Sequence, residues 1–453
     1  MGVSILSIGK GSPGENNVPG DTFTNRELLN KLQKGLNFWQ RVGFSLSRAQ
    51  REKAYKALDV FEKVSGVKQR QMFVSDTLYP NETLATAACL DAIKEAERRD
   101  PSFNKSKIDG VIAVTDTQDT IFPISGKAIA AALNIQPRHF ANASMACSSI
   151  VDAIWQACSW MEKDARCNNI LISACDVTSR LHQAKAMQQP FLFGDQAVAM
   201  ILRREPGNGG FLISNVFVDT KAPDIIHSAL YTGDSEESKS SFWASDFGND
   251  INLKEFGRYE SQAIAGLYRL YMANNADVTS KDPYKTITTV DGLKTQVAID
   301  EQFIAPQVAK KVAQRGSESA GIDCSLLDAN AVKSTVPEHG ITGAAGTPLA
   351  MYYLNKQALQ LPRFTSFICA IGGISAVMTY DPNASEILKY KYEITPGVVD
   401  GTSLPEITST GTTRSHLPNI DVTVKQGSVK PKQAHTTISD IVNEIHQTLS
   451  IKA

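Results

Sequence analysis

The chain has no cysteine pair at metal or redox spacing, no dominant charge and no long apolar run. Each absence removes a class of protein. Its seven cysteines, at 89, 147, 158, 167, 175, 324 and 369, are odd in number and scattered, with no Cys-x-x-Cys among them. A disulfide framework and a metal site are therefore not expected, and this usage fits a reducing cytoplasm. The formal net charge of −1 offers no field for nucleic acid or for an anionic membrane surface. No segment approaches the roughly 18 consecutive apolar residues of a membrane-spanning helix. The opening ten residues lack the basic head and apolar stretch of a secretion signal and read as a first strand. No short-period repeat is present.

What is there is ordinary globular composition, 42% hydrophobic and 21% charged over 453 residues, with length for about three domain-sized units. Strand-like and helix-like patterns alternate through residue 204, which argues an α/β fold. Residues 26–65 read as a helical insert. Glu205-Pro-Gly-Asn-Gly-Gly210 is a turn cluster that separates a first half, 1–204, from a second, 205–385. In the second half Phe211–Val218 reads as a strand, 234–252 as an exposed loop, and Glu260–Ala273 and Phe303–Gln314 as helices. Phe364–Tyr380 reads as the closing strands around a Gly-Gly turn. After residue 385 the composition shifts to Gly, Pro, Ser and Thr, and 386–453 is an extension with no assigned role that ends in an amphipathic pattern over 438–451.

One segment carries chemistry. Phe140-Ala-Asn-Ala-Ser-Met-Ala-Cys147-Ser-Ser-Ile150 is a small-residue run that ends at a cysteine. Ile150, Ile154, Cys158 and Met161 then recur at helical spacing. Ser148 and Ser149 suit a first helical turn. A cysteine at the head of a helix meets unpaired N–H groups and the positive end of the dipole, which favour a thiolate. Such a thiolate is a nucleophile for acyl groups. The competing reading is a small buried hydrophobe.

The order of further segments decides between them. Asn169–Asp176 has a strand pattern, and Pro190-Phe-Leu-Phe-Gly-Asp195-Gln follows it. Gly66-Val-Lys-Gln-Arg70, Pro80-Asn-Glu-Thr83, Ile108–Thr115 and Phe122-Pro123 precede it, and Gly343-Ala-Ala-Gly-Thr-Pro348 and Ile371-Gly-Gly373 come late. This succession, over roughly residues 1–382, resembles the β-ketoacyl-acyl-carrier-protein synthase III branch of the thiolase superfamily. The resemblance implies an α/β thiolase fold, with duplicated halves giving a layered α-β-α-β-α core. It implies an acyltransferase that loads an acyl group on Cys147 from a thioester of acyl-carrier protein or coenzyme A, and passes it to a carbon nucleophile to give a β-keto product. It implies no cofactor, and a homodimer or a dimer with a related subunit.

The same resemblance places an oxyanion hole at the Cys147 N–H and the loop holding Gly372 and Gly373, where glycines let backbone approach substrate. It gives Phe122 the place of a residue that reaches across the dimer to wall the acyl pocket. Two catalytic slots depart from the family. Glu301 stands where a histidine is expected, and Ile341, which cannot donate a hydrogen bond, stands where an asparagine is expected. His339 is the natural substitute, as acid–base or as donor to a thioester oxygen, with Glu301 as base or orienting group. Met187 and Val64 fall near arginine positions associated with coenzyme A, which shifts weight to a carrier-protein thioester. Cys369 is similar to a second thiolase cysteine, but its spacing to the glycine loop is one residue longer, and it reads as a packed core thiol. The altered slots point to a specialised pathway. The rivals are an O- or N-acyltransferase that does not decarboxylate, a non-catalytic partner subunit, and a cysteine hydrolase.

Overall fold

The computed structural model describes residues 2–32, 47–75, 77–181, 189–207, 209–218, 260–268, 271, 284–288, 294–298, 302–304, 310–319, 334–357, 361–370, 374–383, 392–396 and 438–449. In chain order the main elements are β1 (Gly2–Gly11), β2 (Asp21–Thr24), α1 (Asn25–Leu32), α2 (Arg48–Ser65), β3 (Gln69–Met72), α3 (Pro80–Arg99), β4 (Gly110–Val114), α4 (Ser125–Ala132), β5 (His139–Ala143), α5 (Ser149–Lys163), β6 (Asn169–Asp176), β7 (Gln196–Glu205) and β8 (Gly210–Val218). Then come α6 (260–268), β9 (Tyr284–Thr288), β10 (Lys294–Ala298), β11 (Gln302–Ile304), α7 (Lys310–Ser319), α8 (Gly346–Gln357), β12 (Phe364–Ala370), β13 (Ile374–Asp381), β14 (Tyr392–Pro396) and α9 (Ile438–Leu449).

Ten strands form one mixed sheet in the order β11-β12-β13-β8-β1-β7-β6-β4-β5, with β14 added on β8. Its centre follows from the sequence. Strands β6 and β7 are near-continuous apolar runs, and both their faces are covered. Ile170, Ile172 and Ala174 of β6 and Val198, Met200 and Leu202 of β7 enter one core with Ile150, Ile154 and Met161 of α5 and Leu349, Met351 and Leu354 of α8. The alternate residues Leu171, Cys175, Ala197, Ala199 and Ile201 enter a second core with α3, α4 and α9. The first core also takes Phe211, Ile304, Phe364, Ile368 and Met378, so strands from before residue 205 and after residue 210 bury one apolar volume together.

Helix α3 lies directly on β1. Ala85, Ala88, Ala92 and Ala96 form a small-residue stripe, each 0–1% exposed. A Cβ at Gly9 would come within 2.0 Å of the Ala92 nitrogen, so backbone meets backbone there. The insert is helical in α1 and α2. Ser47 and Gln50 form a reciprocal capping box, and Gly66 ends α2 at φ 78°. Leu28, Leu29 and Leu58 of the insert pack with Phe23, Met72 and Phe191.

Two expectations need correction. Phe303–Gln314 is not one helix: Gln302–Ile304 is β11, paired in parallel with Phe364–Ser366, and the helix α7 starts at Lys310. Aromatic packing outweighs local helical spacing, because the Phe303 ring sits 5.9 Å from Tyr271 and 6.3 Å from Phe367. The serines after Cys147 also act differently. Ser148 makes no side-chain cap to α5, whereas the Ser149 hydroxyl accepts from the Met145 N–H and donates to the Ala146 carbonyl at 2.6 Å. The amphipathic tail pattern forms α9, whose Ile441 and Ile445 are fully buried against α3 and α4. The segments 183–188, with Met187, and 234–252 lie outside the described residues.

Candidate active site

Cys147 sits in the short connection from β5 to α5, partly buried, two residues ahead of the first residue of α5. Ala146 holds φ 50°, a left-handed conformation that a residue with a Cβ adopts at a cost of about 1 kcal/mol or more. The Ser149 hydroxyl braces this corner by bridging Met145 and Ala146. The chain thus reverses sharply at the sulfur.

Three carboxyl groups oppose ionisation of the thiol. Burial, then the charges of Glu260, Asp116 and Asp176, push the Cys147 thiol well above its ordinary range. These influences oppose the thiolate that a helix end favours. The field of such an end is worth about 0.3–1 kcal/mol.

Asp176 ends β6. One of its oxygens accepts from the Asp116 N–H at 2.9 Å and from the Thr115 and Thr117 hydroxyls at 3.2 Å each. The other accepts from the Ala344 N–H at 2.7 Å. Burial is the main cause that lifts its pKa to about 7, followed by the Asp116 charge. The Gly-Ala-Ala-Gly segment is thereby tied to the strand beside the nucleophile. Gly343 has φ 55°, and a Cβ there would lie 2.1 Å from an Asp176 oxygen, so only glycine fits. Asp116 and Ser144 are exposed and joined by a 2.5 Å hydrogen bond from the Ser144 hydroxyl. They mark the solvent side of the site.

Glu260 lies in α6 and is 1% exposed. Burial raises its pKa to about 8, and a hydrogen bond from the Cys369 thiol partly offsets that rise. Cys369 is buried at the end of β12. Glu260 and Cys147 are the first two charge influences on its thiol. It is a packed thiol, as its sequence context suggests, yet it stands in the same cluster as Cys147. Sequence reading missed Glu260, Asp116 and Asp176. The one available signal was a carboxylate preceding an otherwise apolar helical run, since Ala263, Ile264, Ala265, Leu267 and Tyr268 are all buried.

The other expected site residues divide. His339 is 3% exposed and closes the short helix Val336–His339. Its Nδ1 lies 2.7 Å from the Gln71 Oε1 and its Nε2 lies 2.8 Å from the Tyr353 hydroxyl. Both ring nitrogens are thus engaged by protein. Ile341 is buried in a small apolar cluster with Val67, Leu192, Phe193 and Val336. Its N–H donates to the Leu192 carbonyl and its own carbonyl accepts from Gly194. Phe122 is 83% exposed on the loop after β4. Glu301, Gly372 and Gly373 lie outside the described residues. No cluster of three His, Cys, Asp or Glu suited to a metal occurs among the described residues.

The remaining motifs are scaffold. Asp195 of Phe-Gly-Asp accepts from the Phe73 N–H, the Ser179 N–H and hydroxyl, and the Thr178 hydroxyl. Fully buried Arg70 donates to Asn25 and to the Phe191 carbonyl. Asn81 donates to Thr115, Thr117 and the Cys175 carbonyl, which fastens the head of α3 to the ends of β4 and β6.

This arrangement has known relatives. A profile of the 3-oxoacyl-[acyl-carrier-protein] synthase III family matches residues 142–221, which include Cys147 and Asp195. A β-ketoacyl-[acyl-carrier-protein] synthase III of Shewanella oneidensis is 26% identical over 289 residues, 63% of this chain and 78% of that one. The protein of the same name from Acidiphilium cryptum is 26% identical over 246 residues, 54% of this chain and 67% of that one. The crystal structure of 3-oxoacyl-(acyl carrier protein) synthase III from Pseudomonas aeruginosa superposes with a TM-score of 0.59, at 16% identity, over 84% of this chain and 98% of that one. Sequence likeness around the nucleophile and a shared fold across most of the chain agree: the chain is similar to the synthase III condensing enzymes and shares their fold.

Proposed function

We propose that the chain accepts an acyl group on Cys147 from a thioester of acyl-carrier protein or coenzyme A, and transfers it to a carbon nucleophile to give a β-keto product. The observation that carries this reading is the corner at Cys147: a strained Ala146 ahead of it, a helix behind it and exposed Asp116 and Ser144, which share a hydrogen bond. In the first half-reaction a new sulfur–acyl bond forms at Cys147, the donor carbon–sulfur bond breaks and the donor leaves as a thiol. In the second, the carbon nucleophile attacks the enzyme thioester and Cys147 returns to the thiol.

The acceptor is not malonyl-type on this reading. Decarboxylation builds an enolate that needs hydrogen-bond donors, and Ile341 presents an apolar side chain inside an apolar cluster. An already activated carbon acid therefore fits better. The same observation favours a second reading, transfer to an alcohol or amine without decarboxylation. Gly372 and Gly373 enter the proposal as the oxyanion loop and Glu301 as an acid–base group. His339 serves transfer if its Nε2 exchanges the Tyr353 hydroxyl for substrate. A second subunit is part of the proposal: among the described residues β5 is a sheet edge, and Phe122, Phe140 and Trp155 expose large apolar surface, the pattern of an interface. Among the described residues no helix is long and apolar enough to cross a membrane; a cytoplasmic setting is part of the proposal and is supported by the scattered cysteines.

The test is product identification. Enzyme incubated with an acyl thioester and separate β-keto-thioester, malonyl-thioester, alcohol and amine acceptors should yield the carbon–carbon product from the β-keto acceptor, without carbon dioxide release from malonyl thioester. Exclusive ester or amide products would establish the second reading instead.

A further inference from the structure

We propose that the tail helix α9 positions the nucleophile corner, acting through the Glu444 carboxyl on the turn that opens α3. The inference rests on Cys147 being the acyl acceptor, and it gives the C-terminal extension a part in acyl loading.

Helix α9 is seated by one face. Ile441, Ile445 and Leu449 stand at i, i+4 and i+8 and join the apolar cluster of α3 and α4. Its polar contacts fall at the ends of those two helices, where backbone groups lack intrahelical partners. His446 Nε2 lies 2.8 Å from the carbonyl of Ala132, the last residue of α4. The Glu444 Oε1 accepts from the Thr77 hydroxyl at 2.7 Å and from the Leu78 N–H at 2.6 Å. Tyr79, at the head of α3, makes no side-chain cap. Its N–H donates to the Thr77 oxygen at 3.3 Å, and the Thr77 proton goes on to Glu444. A carboxyl 367 positions from Thr77 thus takes the place of a local cap.

The head of α3 leads to the corner through buried side chains. Asn81, 1% exposed, donates to the Thr115 hydroxyl oxygen at 2.9 Å, the Thr117 hydroxyl oxygen at 2.8 Å and the Cys175 carbonyl at 3.1 Å. Each threonine oxygen accepts from Asn81, which leaves its one proton for an Asp176 oxygen 3.2 Å away. That oxygen also accepts from the Asp116 N–H at 2.9 Å. The Asp116 carboxyl accepts in turn from the Ala146 N–H at 3.4 Å, and Ala146 is bonded to Cys147. Hydrogen bonds carry the path from Glu444 to Ala146, except between Leu78 and Asn81, where the chain itself does.

The corner needs such support. Ala146 holds φ 50°, and a strained backbone persists only where its surroundings over-determine it. A reacting group displaced by about 1 Å can lose about 10²-fold in rate. The effect of α9 therefore falls on the maximal rate of loading and not on the affinity for the thioester.

The experiment measures single-turnover acyl adduct formation at Cys147, by mass spectrometry, over a concentration series of saturated acyl-CoA thioesters. It uses the full-length chain, under conditions where every variant is folded. Glu444→Ala should lower the maximal rate by about 2- to 30-fold, with the half-saturating concentration unchanged. Glu444→Gln keeps an acceptor oxygen and should recover most of the rate. Thr77→Val should also slow loading, and adding it to Glu444→Ala should cost little more, because the two remove one hydrogen bond. Amide exchange at Ala146, which needs no acyl donor, should quicken by a like factor in Glu444→Ala. A wild-type maximal rate and unchanged Ala146 exchange in Glu444→Ala and Thr77→Val, with only the unfolding midpoint lowered, would overturn the proposal. A wild type with no adduct at Cys147 would fail the parent reading, while Ala146 exchange would still decide whether α9 holds the corner.

Discussion

The Asp176 carboxylate and the Ala344 N–H meet at 2.7 Å. This bond ties the end of β6 to the late Gly-Ala-Ala-Gly turn, 168 residues further along the chain. It places a saturated, buried carboxyl near Cys147 and leaves no room for a side chain at Gly343.

Gly343→Ala should therefore be strongly destabilising. The new Cβ would sit 2.1 Å from an Asp176 oxygen, on a backbone held at φ 55°. Left-handed strain alone costs about 1–3 kcal/mol, and the clash adds to it. Chemical denaturation should show a loss of about 2 kcal/mol or more, together with weakened loading at Cys147. A variant within 0.5 kcal/mol of wild type, an order-of-magnitude threshold for ordinary surface changes, would contradict the geometry.

Stability should fall as pH rises from about 5 to 8. Glu260 and Asp176 have pKa values of about 8 and about 7 in the folded chain, against ordinary values of 4.5 and 3.8. Between those limits the folded state holds protons that the unfolded state has released. Each group then lowers unfolding free energy by up to about 1.4 kcal/mol per pH unit. Glu260→Gln should flatten the slope between pH 5 and 8. An equally steep slope in that variant would show that Glu260 ionises normally.

His339 offers a sharper kinetic test. Its Nε2 is held by Tyr353 and its Nδ1 by Gln71. If Nε2 turns to substrate, His339→Ala should slow turnover by about 10²–10⁴-fold with little change in KM, and Tyr353→Phe should preserve the rate. A loss of about 1–3 kcal/mol of stability from the orphaned partners, with turnover intact, would make the ring a purely structural tie.

The tail helix should behave as part of the domain. Ile445 is fully buried, the Glu444 carboxylate accepts from the Thr77 hydroxyl and the Leu78 N–H, and His446 Nε2 lies 2.8 Å from the Ala132 carbonyl. Ile445→Ala should cost about 2–5 kcal/mol in denaturant unfolding. A negligible effect would mean that α9 does not hold this position in solution.

Much of the fold was legible because its central strands are apolar without interruption and its nucleophile sits at a sharp switch from strand to helix spacing. Val111, Ile112, Leu171 and Ile201 announce buried strands by composition alone. Phe303 did not announce β11, because its conformation is set by aromatic partners at 271 and 367 that no local window contains. The site was legible only where one segment carries the chemistry, as around Cys147. Glu260 escaped for a physical reason: a carboxyl acquires its setting from burial and from its bond to the Cys369 thiol, and those two residues lie more than 100 positions apart along the chain, by their numbers. His339 was found by its residue type, but its wiring to Gln71 and Tyr353 depends on tertiary packing.

The most direct test of the central claim is intact-mass analysis with peptide mapping after brief exposure to acyl-carrier-protein and acyl-CoA thioesters. One acyl group per chain, mapped to the peptide holding Cys147 and absent from Cys147→Ala, is the predicted result. A full-stoichiometry adduct that persists in Cys147→Ala, or that maps to Cys369, would contradict it.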